Sequence, residues 1–282
     1  MSENENIIEN KLDIERGYTL LDRGGVRLIV SDRFSESGGI THGFSTRIGG
    51  VSSKPYDSLN LSLTRDDSKQ NIIRNYRILF DAAELSIESA VLVNHEHGAN
   101  VIRVDRGNCA QGLFREPLPF CDGIITNDPE VTLVTLHADC GCVYLFDPEN
   151  SAIGLAHAGW KGTYKRIAQR MVERMTAEFG SSPDKLFALL GPCICKSCFE
   201  VDERIADDFV AEFSFPQLKQ CGKKGKAFVD LESALIIQLT DAGLSNQRIT
   251  SMGLCTFERE DIFYSFRRDK GQTGAMIGFL KL

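Results

Sequence analysis

Short apolar runs recur along this chain of 282 residues, and several of them are nearly continuous. Runs of this kind predict β-strands, and an unbroken apolar run predicts a strand that is covered on both faces. The best of these runs are residues 26–30, 40–45, 90–93, 101–104, 131–136, 143–146, 153–157, 186–190, 262–266 and 276–280. We therefore expect a fold that is rich in buried sheet.

Helical spacing of apolar residues occurs in fewer segments. In residues 163–179, Ile167, Met171 and Met175 lie four apart, so they share one face of a helix that we expect to pack on a sheet. Residues 69–83, 200–213 and 231–242 predict three further helices. Strands and helices do not alternate regularly. This favours an α+β fold, a layered single domain with mixed β-sheets and flanking helices, over a doubly wound parallel sheet.

No Pro-, Gly- or Ser-rich linker divides the chain. We expect a polar N-terminal arm over residues 1–17 and a single domain over residues 18–282. The arm lacks the apolar centre of a signal peptide, and no stretch reaches the roughly 18 apolar residues of a membrane span. We therefore expect a cytoplasmic protein without membrane contact, in which the nine cysteines are reduced thiols.

The charge balance limits the classes of partner. The chain has 32 basic and 39 acidic side chains, a net charge of −7, and no basic run of five residues. This disfavours nucleic acid as a partner, and an anionic ligand needs a local basic pocket. The glycine-rich motifs of dinucleotide and P-loop sites and the Gly-x-Ser-x-Gly motif of serine hydrolases are absent.

Histidine and cysteine are concentrated in one part of the chain. Four of the five histidines lie between residues 95 and 157, together with Cys140 and Cys142. His97 occupies a turn, Cys140 follows a predicted strand and His157 ends another, so the three side chains are able to converge. Two histidines and one thiolate suit Zn²⁺ and leave its fourth position open. The spacing alone fits buried, hydrogen-bonded histidines equally well, and it does not distinguish His97 from His95.

Two glycine-containing segments carry candidate ligand-binding groups. Residues 159–163 open the long helix, where free backbone N–H groups and Lys161 predict an anion site, while Thr163 is alternatively a simple N-cap. Trp160 predicts either a stacking surface for a base or a core anchor. In the loop 43–52, Arg47 suits bidentate contact with phosphate or carboxylate, although a plain surface arginine is the ordinary interpretation.

A second cysteine-rich segment lies at residues 191–198. Its cysteines, Cys193, Cys195 and Cys198, suggest a second zinc site or an iron–sulfur site. No fourth cysteine follows at a suitable spacing, since Cys221 and Cys255 are distant in the sequence. We therefore expect unligated thiols in a Gly-Pro turn.

Together, these segments resemble the laccase-domain (YfiH-like) family, whose members were long labelled multicopper polyphenol oxidases and are now associated with purine nucleoside phosphorylase activity. The resemblance covers residues 42–282. Its most specific motifs are Ala-Asp-Cys and His-Ala-Gly-Trp, whose Cys140 and His157 are 17 residues apart. The matching segments are HGFSTRIGGVSSKPYDSLNL (42–61), HGANV (97–101), DGIITN (122–127), ADCGCV (138–143), HAGWKGT (157–163), GPCI (191–194), FEV (199–201) and FYSFRRDK (263–270).

The resemblance implies a layered α+β fold and a metal centre. Zinc is the implied cofactor and copper the alternative metal, and the family's three ligands correspond to His97, Cys140 and His157. The chain departs from the common family pattern at three positions that are not ligands. There, Gln is replaced by His95, Pro by Cys142 and Arg by Lys161.

The activity that the resemblance implies is phosphorolysis of purine nucleosides (adenosine, inosine, guanosine and 5′-methylthioadenosine), with adenosine deamination as a further activity. Phosphate attacks the anomeric carbon of the ribose as the purine leaves. We assign catalytic roles to Asp139 and Arg47, and substrate or phosphate contacts to Arg47, His42, Lys161 and Trp160. The expected partners are small molecules, and the expected assembly is a monomer or a homodimer.

Three alternative functions stay open. Cys140 and His157 are also suited to be the nucleophile–base pair of a metal-free amide hydrolase, as in relatives linked to peptidoglycan precursor editing. The second alternative is a copper-dependent polyphenol oxidase, but five histidines are too few for a type-one site and a trinuclear copper site. The third is a binding module that the metal only stabilises.

Overall fold

Two mixed β-sheets lie face to face in the computed structural model, and helices cover their outer faces. The structure describes residue 12 and residues 14–282. In this part of the chain the strands are β1 Glu15–Arg16, β2 Thr19–Arg23, β3 Val26–Val30, β4 Thr41–Ser45, β5 Ala90–Leu92, β6 Val101–Arg103, β7 Gly123–Thr126, β8 Thr132–His137, β9 Gly141–Asp147, β10 Ala152–Ala158, β11 Phe187–Leu190, β12 Glu200–Asp202, β13 Lys219–Cys221, β14 Lys226–Val229, β15 Ile249–Ser251 and β16 Met276–Lys281. The α-helices are α1 Asp32–Glu36, α2 Lys69–Ala82, α3 Trp160–Tyr164, α4 Ile167–Phe179, α5 Glu203–Phe213 and α6 Leu231–Asp241.

The larger sheet has seven strands in the order β1-β15-β11-β9-β10-β7-β6, and the second has six in the order β2-β3-β4-β16-β8-β5. Each contains both kinds of pairing: β9 and β10 are antiparallel whereas β6 and β7 are parallel, and β16 and β8 are antiparallel whereas β5 and β8 are parallel. A separate three-stranded sheet has the order β12-β14-β13. This architecture confirms the predicted α+β fold with mixed sheets.

The main core lies between the two large sheets. Phe44 and Leu280 from the six-stranded sheet meet Tyr144 and Leu155 from the seven-stranded sheet, and all four are fully buried. Every residue of β9 and β10 is buried, because these central strands have one face on this core and the other on helices. The prediction of strands covered on both faces is therefore confirmed.

The outer helices explain the apolar stripes of the sequence. Helix α4 places Ile167, Met171 and Met175 on the outer face of the seven-stranded sheet, and α2 covers the six-stranded sheet. The single helix predicted over residues 163–179 is divided into α3 and α4, because Arg166 between them has a left-handed φ of 62°. The Arg166 Nε donates to Glu212 Oε1 of α5 at 2.6 Å, and this contact holds the break in place.

Two predicted elements are wrong. Residues 262–266, which we expected to be a strand, have turns at residues 262 and 266 and irregular backbone between them. Ile262 and Phe263 are buried, but their N–H groups both donate to the Arg259 carbonyl, at 3.2 and 2.9 Å. The run is apolar because it enters the core, and its other backbone bonds, which include those from the Arg47 N–H to the Ile262 carbonyl at 2.9 Å and from the Tyr264 N–H to Met276 Sδ at 3.2 Å, do not form a sheet ladder. Residues 200–202, which we expected to begin a helix, form β12 because they pair with β14.

The described end of the N-terminal segment joins the fold. Ile14 is buried, and β1 pairs in parallel with β15 at the edge of the seven-stranded sheet. Arg16 forms an ion pair with Glu232 at 3.0 Å. Most of the predicted arm lies outside the described residues, so the boundary between residues 17 and 18 stays a prediction.

The described residues contain neither a disulfide nor a membrane-spanning helix. None of the nine cysteines is paired with another in a disulfide. Among the helices of the described segments, none combines the length and the apolar surface that crossing a membrane requires.

His42, at the start of β4, gives the fold a pH-dependent contribution to stability. Its buried ring accepts the Ser31 N–H at Nε2, at 3.0 Å, and meets the rings of Phe34 and Tyr144 edge to face. Burial lowers the pKa of His42 from 6.5 to about 4, against a smaller opposing effect of Asp32. The unfolded chain therefore takes up this proton first, and the contribution is complete above about pH 6.5 and decreases as the pH falls toward 4.

We predict that His42→Gln removes this part of the pH dependence, because glutamine offers Ser31 an acceptor but does not titrate. Urea unfolding at pH 7 and pH 4.5 measures the effect. The wild-type protein should lose on the order of 2 kcal/mol more unfolding free energy over this interval than the variant. Equal losses in the two proteins would contradict the assignment.

Candidate metal centre

The hairpin of β9 and β10 brings two of the three predicted ligands together. Cys140 immediately precedes β9, and His157 in β10 pairs with Cys142 of β9. Because the strands are antiparallel, residues 17 positions apart lie at the same end of the hairpin. His97 comes from the turn between β5 and β6. The nearest ligand atoms of His97, Cys140 and His157 all lie within 4.8 Å of one another.

A buried carboxylate, Asp122, holds the turn that carries His97. Its two oxygens accept the backbone N–H groups of Glu96, His97 and Gly98, at 3.3, 3.1 and 2.6 Å. His97 itself has a left-handed φ of 56°, a conformation that a non-glycine residue adopts only when its surroundings fix it. Burial raises the pKa of Asp122, but its bonds to His157 and to these N–H groups outweigh burial and lower the pKa below its ordinary value.

Asp122 also orients the ring of His157. One carboxylate oxygen lies 2.9 Å from His157 Nδ1, which leaves Nε2 free to face Cys140 and His97. An outer carboxylate of this kind fixes the tautomer and the direction of a metal-binding histidine. Burial alone lowers the pKa of His157, but the Cys140 sulfur and the Asp122 carboxylate outweigh burial and raise the pKa to about 9.

The residue that follows the hairpin leaves space between the ligands. A Cβ on Gly159 would lie 3.1 Å from His97 Nδ1, 3.3 Å from Cys140 Sγ and 3.3 Å from His157 Cε1. A larger residue would therefore fill the point on which the three side chains converge. A centre with two imidazoles, one thiolate and an open fourth position fits Zn²⁺.

Two further histidines surround the centre and differ in their hydrogen bonding. His137 is fully engaged, since Nε2 lies 2.7 Å from Thr135 Oγ1 and Nδ1 lies 3.1 Å from the Cys140 carbonyl. The ring of His95 lies 4.2 Å from that of His157, and its Nε2 is buried without a hydrogen-bond partner among the described residues. Burial and the three neighbouring histidines hold the pKa of His95 well below 6.5, so its ring is neutral.

Asp139, which we predicted to be catalytic, is engaged by three groups. Its carboxylate accepts the Thr256 hydroxyl and the Arg267 N–H, both at 2.7 Å, and its carbonyl accepts the Ile194 N–H at 2.9 Å. Its φ is 89°, so the backbone before Cys140 is also held in an unusual conformation. These contacts favour a positioning role for Asp139, and proton transfer by this group stays a prediction.

Trp160 and Lys161 lie directly beside the centre, at the start of α3. Trp160 is 36% exposed, which rules out a core anchor, and Lys161 Nζ lies 5.6 Å from the centre of its ring. The N-cap of α3 is Gly159. Thr163, which we considered as the cap, is buried within the helix, and its hydroxyl donates to the Ala158 carbonyl at 3.5 Å.

Arg47 and His42 have contacts outside the centre. The Arg47 guanidinium donates to the Asp57 carbonyl at 3.0 Å and lies 4.8 Å from the centre of the Tyr264 ring. It lines a cleft of about 350 Å³ together with the carboxylates of Asp57 and Asp261. A phosphate contact would require Arg47 to exchange these partners. The described contacts of His42 are those of a core residue. The phosphate roles of both residues stay predictions.

Sequence reasoning missed the role of Asp122 and did not single out Arg65. Asp122 begins a matching segment, but nothing in the sequence indicates its partners. Arg65 carries a buried Nε without a hydrogen-bond partner in the described chain, and its guanidinium lies 5.4 Å from the centre of the Phe266 ring. Phe266 is 51% exposed and adjoins Arg267, whose N–H binds Asp139. No sequence signal singled out Arg65.

Known proteins are similar to this chain in sequence and in fold. Residues 41–282 match the family described as multi-copper polyphenol oxidoreductase laccase. The chain belongs to this laccase family. Within the laccase family, the purine nucleoside phosphorylase YlmD of Bacillus subtilis is 37% identical over 242 residues, which cover 84% of this chain and 87% of that protein. A purine nucleoside phosphorylase of Deinococcus radiodurans is 36% identical, over 86% of this chain and 89% of its own length.

Two solved structures resemble this laccase-family chain over nearly its whole length. The hypothetical protein YfiH of Bacillus licheniformis superposes with a TM-score of 0.86 at 32% identity, covering 94% of this chain and 98% of its own. YlmD of Geobacillus stearothermophilus has a TM-score of 0.86 at 30% identity, covering 93% and 97%. The fold and the family that the sequence resemblance implied are both confirmed.

We predict that Asp122→Asn weakens zinc binding about 10- to 100-fold, because His157 loses its orienting carboxylate and the His97 turn loses one of its two acceptor oxygens. Competition with a chromophoric chelator measures the affinity, and the melting temperature reports folding in parallel. The matched control is Asp184→Asn, which alters an exposed carboxylate elsewhere on the surface. Zinc affinity equal to that of the wild type would overturn the role of Asp122.

Proposed function

We propose that this protein is a metal-dependent purine nucleoside phosphorylase, which converts a purine nucleoside and phosphate into the free base and ribose 1-phosphate. The observation that carries the proposal is the convergence of His97, Cys140 and His157 beside an exposed aromatic ring and a lysine. The names of the relatives support the same activity.

His97, Cys140 and His157 would hold the metal ion, which we take to be zinc. Bound there, zinc supplies Lewis acidity and positive charge next to the reacting groups. Asp122 already fixes the His97 turn and the His157 ring, so these two ligands lose little freedom when they bind, and Gly159 leaves room between the ligands.

Phosphate needs a cationic contact close to this centre. Lys161 is exposed next to Trp160, and it is the cation that the sequence and the contacts both favour. As a point charge it holds phosphate less directionally than an arginine fork would. Arg65, with its unpartnered Nε, is a second donor, whereas Arg47 would first have to leave Asp57. Each of these groups would hold the nucleophile rather than transfer a proton.

The purine needs a flat apolar surface and a hydrogen-bond partner. Trp160 and Phe266 are exposed aromatic rings on segments that adjoin the centre. Stacking on such rings tolerates any purine, so it suits each of the purine nucleosides that we expect as substrates. The Nε2 of the neutral His95, whose ring lies beside that of His157, has no hydrogen-bond partner in the described part of the chain, and we assign it to hydrogen bonding with the substrate.

A metal-free hydrolase is the second candidate, because the site also contains the side chains of a catalytic triad. Cys140, His157 and Asp122 follow one another as nucleophile, base and orienting carboxylate. His97 and Gly159 argue against this candidate, since a Cys–His–Asp triad requires neither a second histidine nor a glycine at that point. Alkylation of Cys140 that zinc does not slow would favour the hydrolase.

We predict that the purified zinc-loaded protein releases free base from inosine or adenosine only when phosphate is present. Phosphate and the nucleoside are the two substrates of phosphorolysis, so ribose 1-phosphate should appear in equal amount. Chromatography of base and sugar phosphate measures both products, and Cys140→Ala serves as the inactive control. Formation of inosine from adenosine without phosphate would indicate deamination, and no turnover of any purine nucleoside would refute the proposed activity.

We predict that Lys161→Ala raises the KM for phosphate about tenfold, equivalent to the loss of about 1.4 kcal/mol of binding. Lys161→Arg should retain or improve phosphate binding, because a forked donor binds phosphate in a bidentate manner. Lys165→Ala is the matched control, since Lys165 is an exposed lysine at the end of the same helix. Equal KM values for Lys161→Ala and Lys165→Ala would exclude Lys161 from the phosphate site.

A further inference from the structure

A second cluster of sulfur and oxygen ligands lies outside the centre described above. The sulfur atoms of Cys195, Cys198 and Cys255 and a carboxylate oxygen of Glu258 all lie within 4.8 Å of one another. The sequence led us to expect unligated thiols here, because Cys255 is 60 positions from Cys195. In the folded chain, however, Cys195 and Cys255 lie side by side.

Two turns of equal length present the four ligand atoms. One is Cys195-x-x-Cys198, closed by the bond from the Cys198 N–H to the Cys195 carbonyl at 3.0 Å. The other is Cys255-x-x-Glu258, which repeats the same spacing with a carboxylate in the second position. The Cys195 N–H donates across the cluster to Cys255 Sγ at 3.3 Å. An N–H that points at sulfur stabilises the thiolate, which is the form that binds metal.

The protein holds the two turns together by backbone contacts. Cys193 and Cys255 form a parallel bridge, in which the Cys193 N–H donates to the Leu254 carbonyl and the Thr256 N–H donates to the Cys193 carbonyl, both at 3.1 Å. Arg268 Nη1 donates to the Thr256 carbonyl at 3.0 Å. The ligand atoms are therefore brought close by the fold itself.

The electrostatics of the cluster favour a cation. The Glu258 carboxylate lies 3.6 Å from Cys195 Sγ and 3.5 Å from Cys198 Sγ. The neighbouring arginine, Arg259, does not neutralise it, since its guanidinium pairs with Asp261 at 2.8 and 2.9 Å. Three thiols thus face one carboxylate, and a divalent cation that displaced the thiol protons would meet three thiolates and a carboxylate whose negative charge it compensates.

We propose that Cys195, Cys198, Cys255 and Glu258 form a second, structural zinc site. Thiolate and carboxylate are both zinc ligands, and with zinc–sulfur bonds of about 2.3 Å, four such atoms at these separations surround a tetrahedral ion. Because the protein supplies all four ligands, the site is closed and has no position for a substrate. Three sulfurs without a fourth cysteine do not suit an iron–sulfur cluster that requires four.

The second site is linked to the wall of the first centre. The segments of both turns contact Asp139. Ile194, which precedes the first turn, donates its N–H to the Asp139 carbonyl, and Thr256 of the second turn donates its hydroxyl to the Asp139 carboxylate. Asp139 immediately precedes Cys140. A zinc ion that joins the two turns would therefore stabilise the backbone on which the Cys140 ligand is placed.

The test is the zinc content of the purified full-length protein and of single variants, measured by elemental mass spectrometry after dialysis against zinc. We expect two zinc ions per chain in the wild type and one in Cys198→Ser. Cys140→Ala should also retain one, because it loses only the first centre. The matched control is Cys221→Ser, which changes an exposed cysteine outside both clusters and should keep two.

Substitution with Co²⁺ distinguishes the two sites even if a variant folds poorly. The thiolate-to-cobalt absorption of Cys140→Ala should be that of a site with three thiolates, whereas Cys198→Ser should lose most of it. Glu258→Gln is a milder change at the exposed ligand, and it should weaken zinc retention against a chelator without removing a sulfur. A single zinc ion in the wild type that Cys198→Ser retains would overturn the proposal, as would a disulfide between Cys195 and Cys198 in the zinc-treated protein.

Discussion

The hydrogen bonds of the Asp122 carboxylate determine whether the first metal centre has its geometry. They connect a turn after β5 with a histidine of β10, two parts of the chain that are 60 residues apart. Asp122 is fully buried, so a loss of these partners would leave a charge unpaired in the interior, at a cost of several kcal/mol. When this region folds correctly, the same hydrogen bonds therefore place His97 and His157 correctly.

The two-sheet core provides the rigidity that such a centre needs. The hairpin that carries Cys140 and His157 is buried along its whole length, between the second sheet on one side and α4 and α6 on the other. Close-packed strands in this position resist small displacements. The exposed groups, Trp160 and Lys161, are placed on the short helix α3, where they can contact a ligand without disturbing the core.

Much of the fold and part of the metal centre could be predicted from the sequence. Unbroken apolar runs identified the central strands, and the irregular order of elements identified an α+β fold. The metal ligands required the family motifs, because spacing alone did not separate His97 from His95. The partners of Asp122 and the approach of Cys255 to Cys195 could not be predicted, since they depend on strand order and on a bridge between distant segments. The strand predicted over residues 262–266 was wrong for a related reason, because burial of a short apolar run does not specify how its backbone is paired.

In the β9–β10 hairpin, the number of residues between the ligands Cys140 and His157 does not determine how close the two side chains are. Cys140 and His157 lie at one end of the hairpin, and the exposed residues 148–151 form the turn at the other end. Extra residues in that turn would lengthen the sequence interval but leave the ligand end unchanged. The turn is therefore a suitable place for inserting a peptide tag or a fluorescent label. Relatives with a different interval between cysteine and histidine would preserve the same centre.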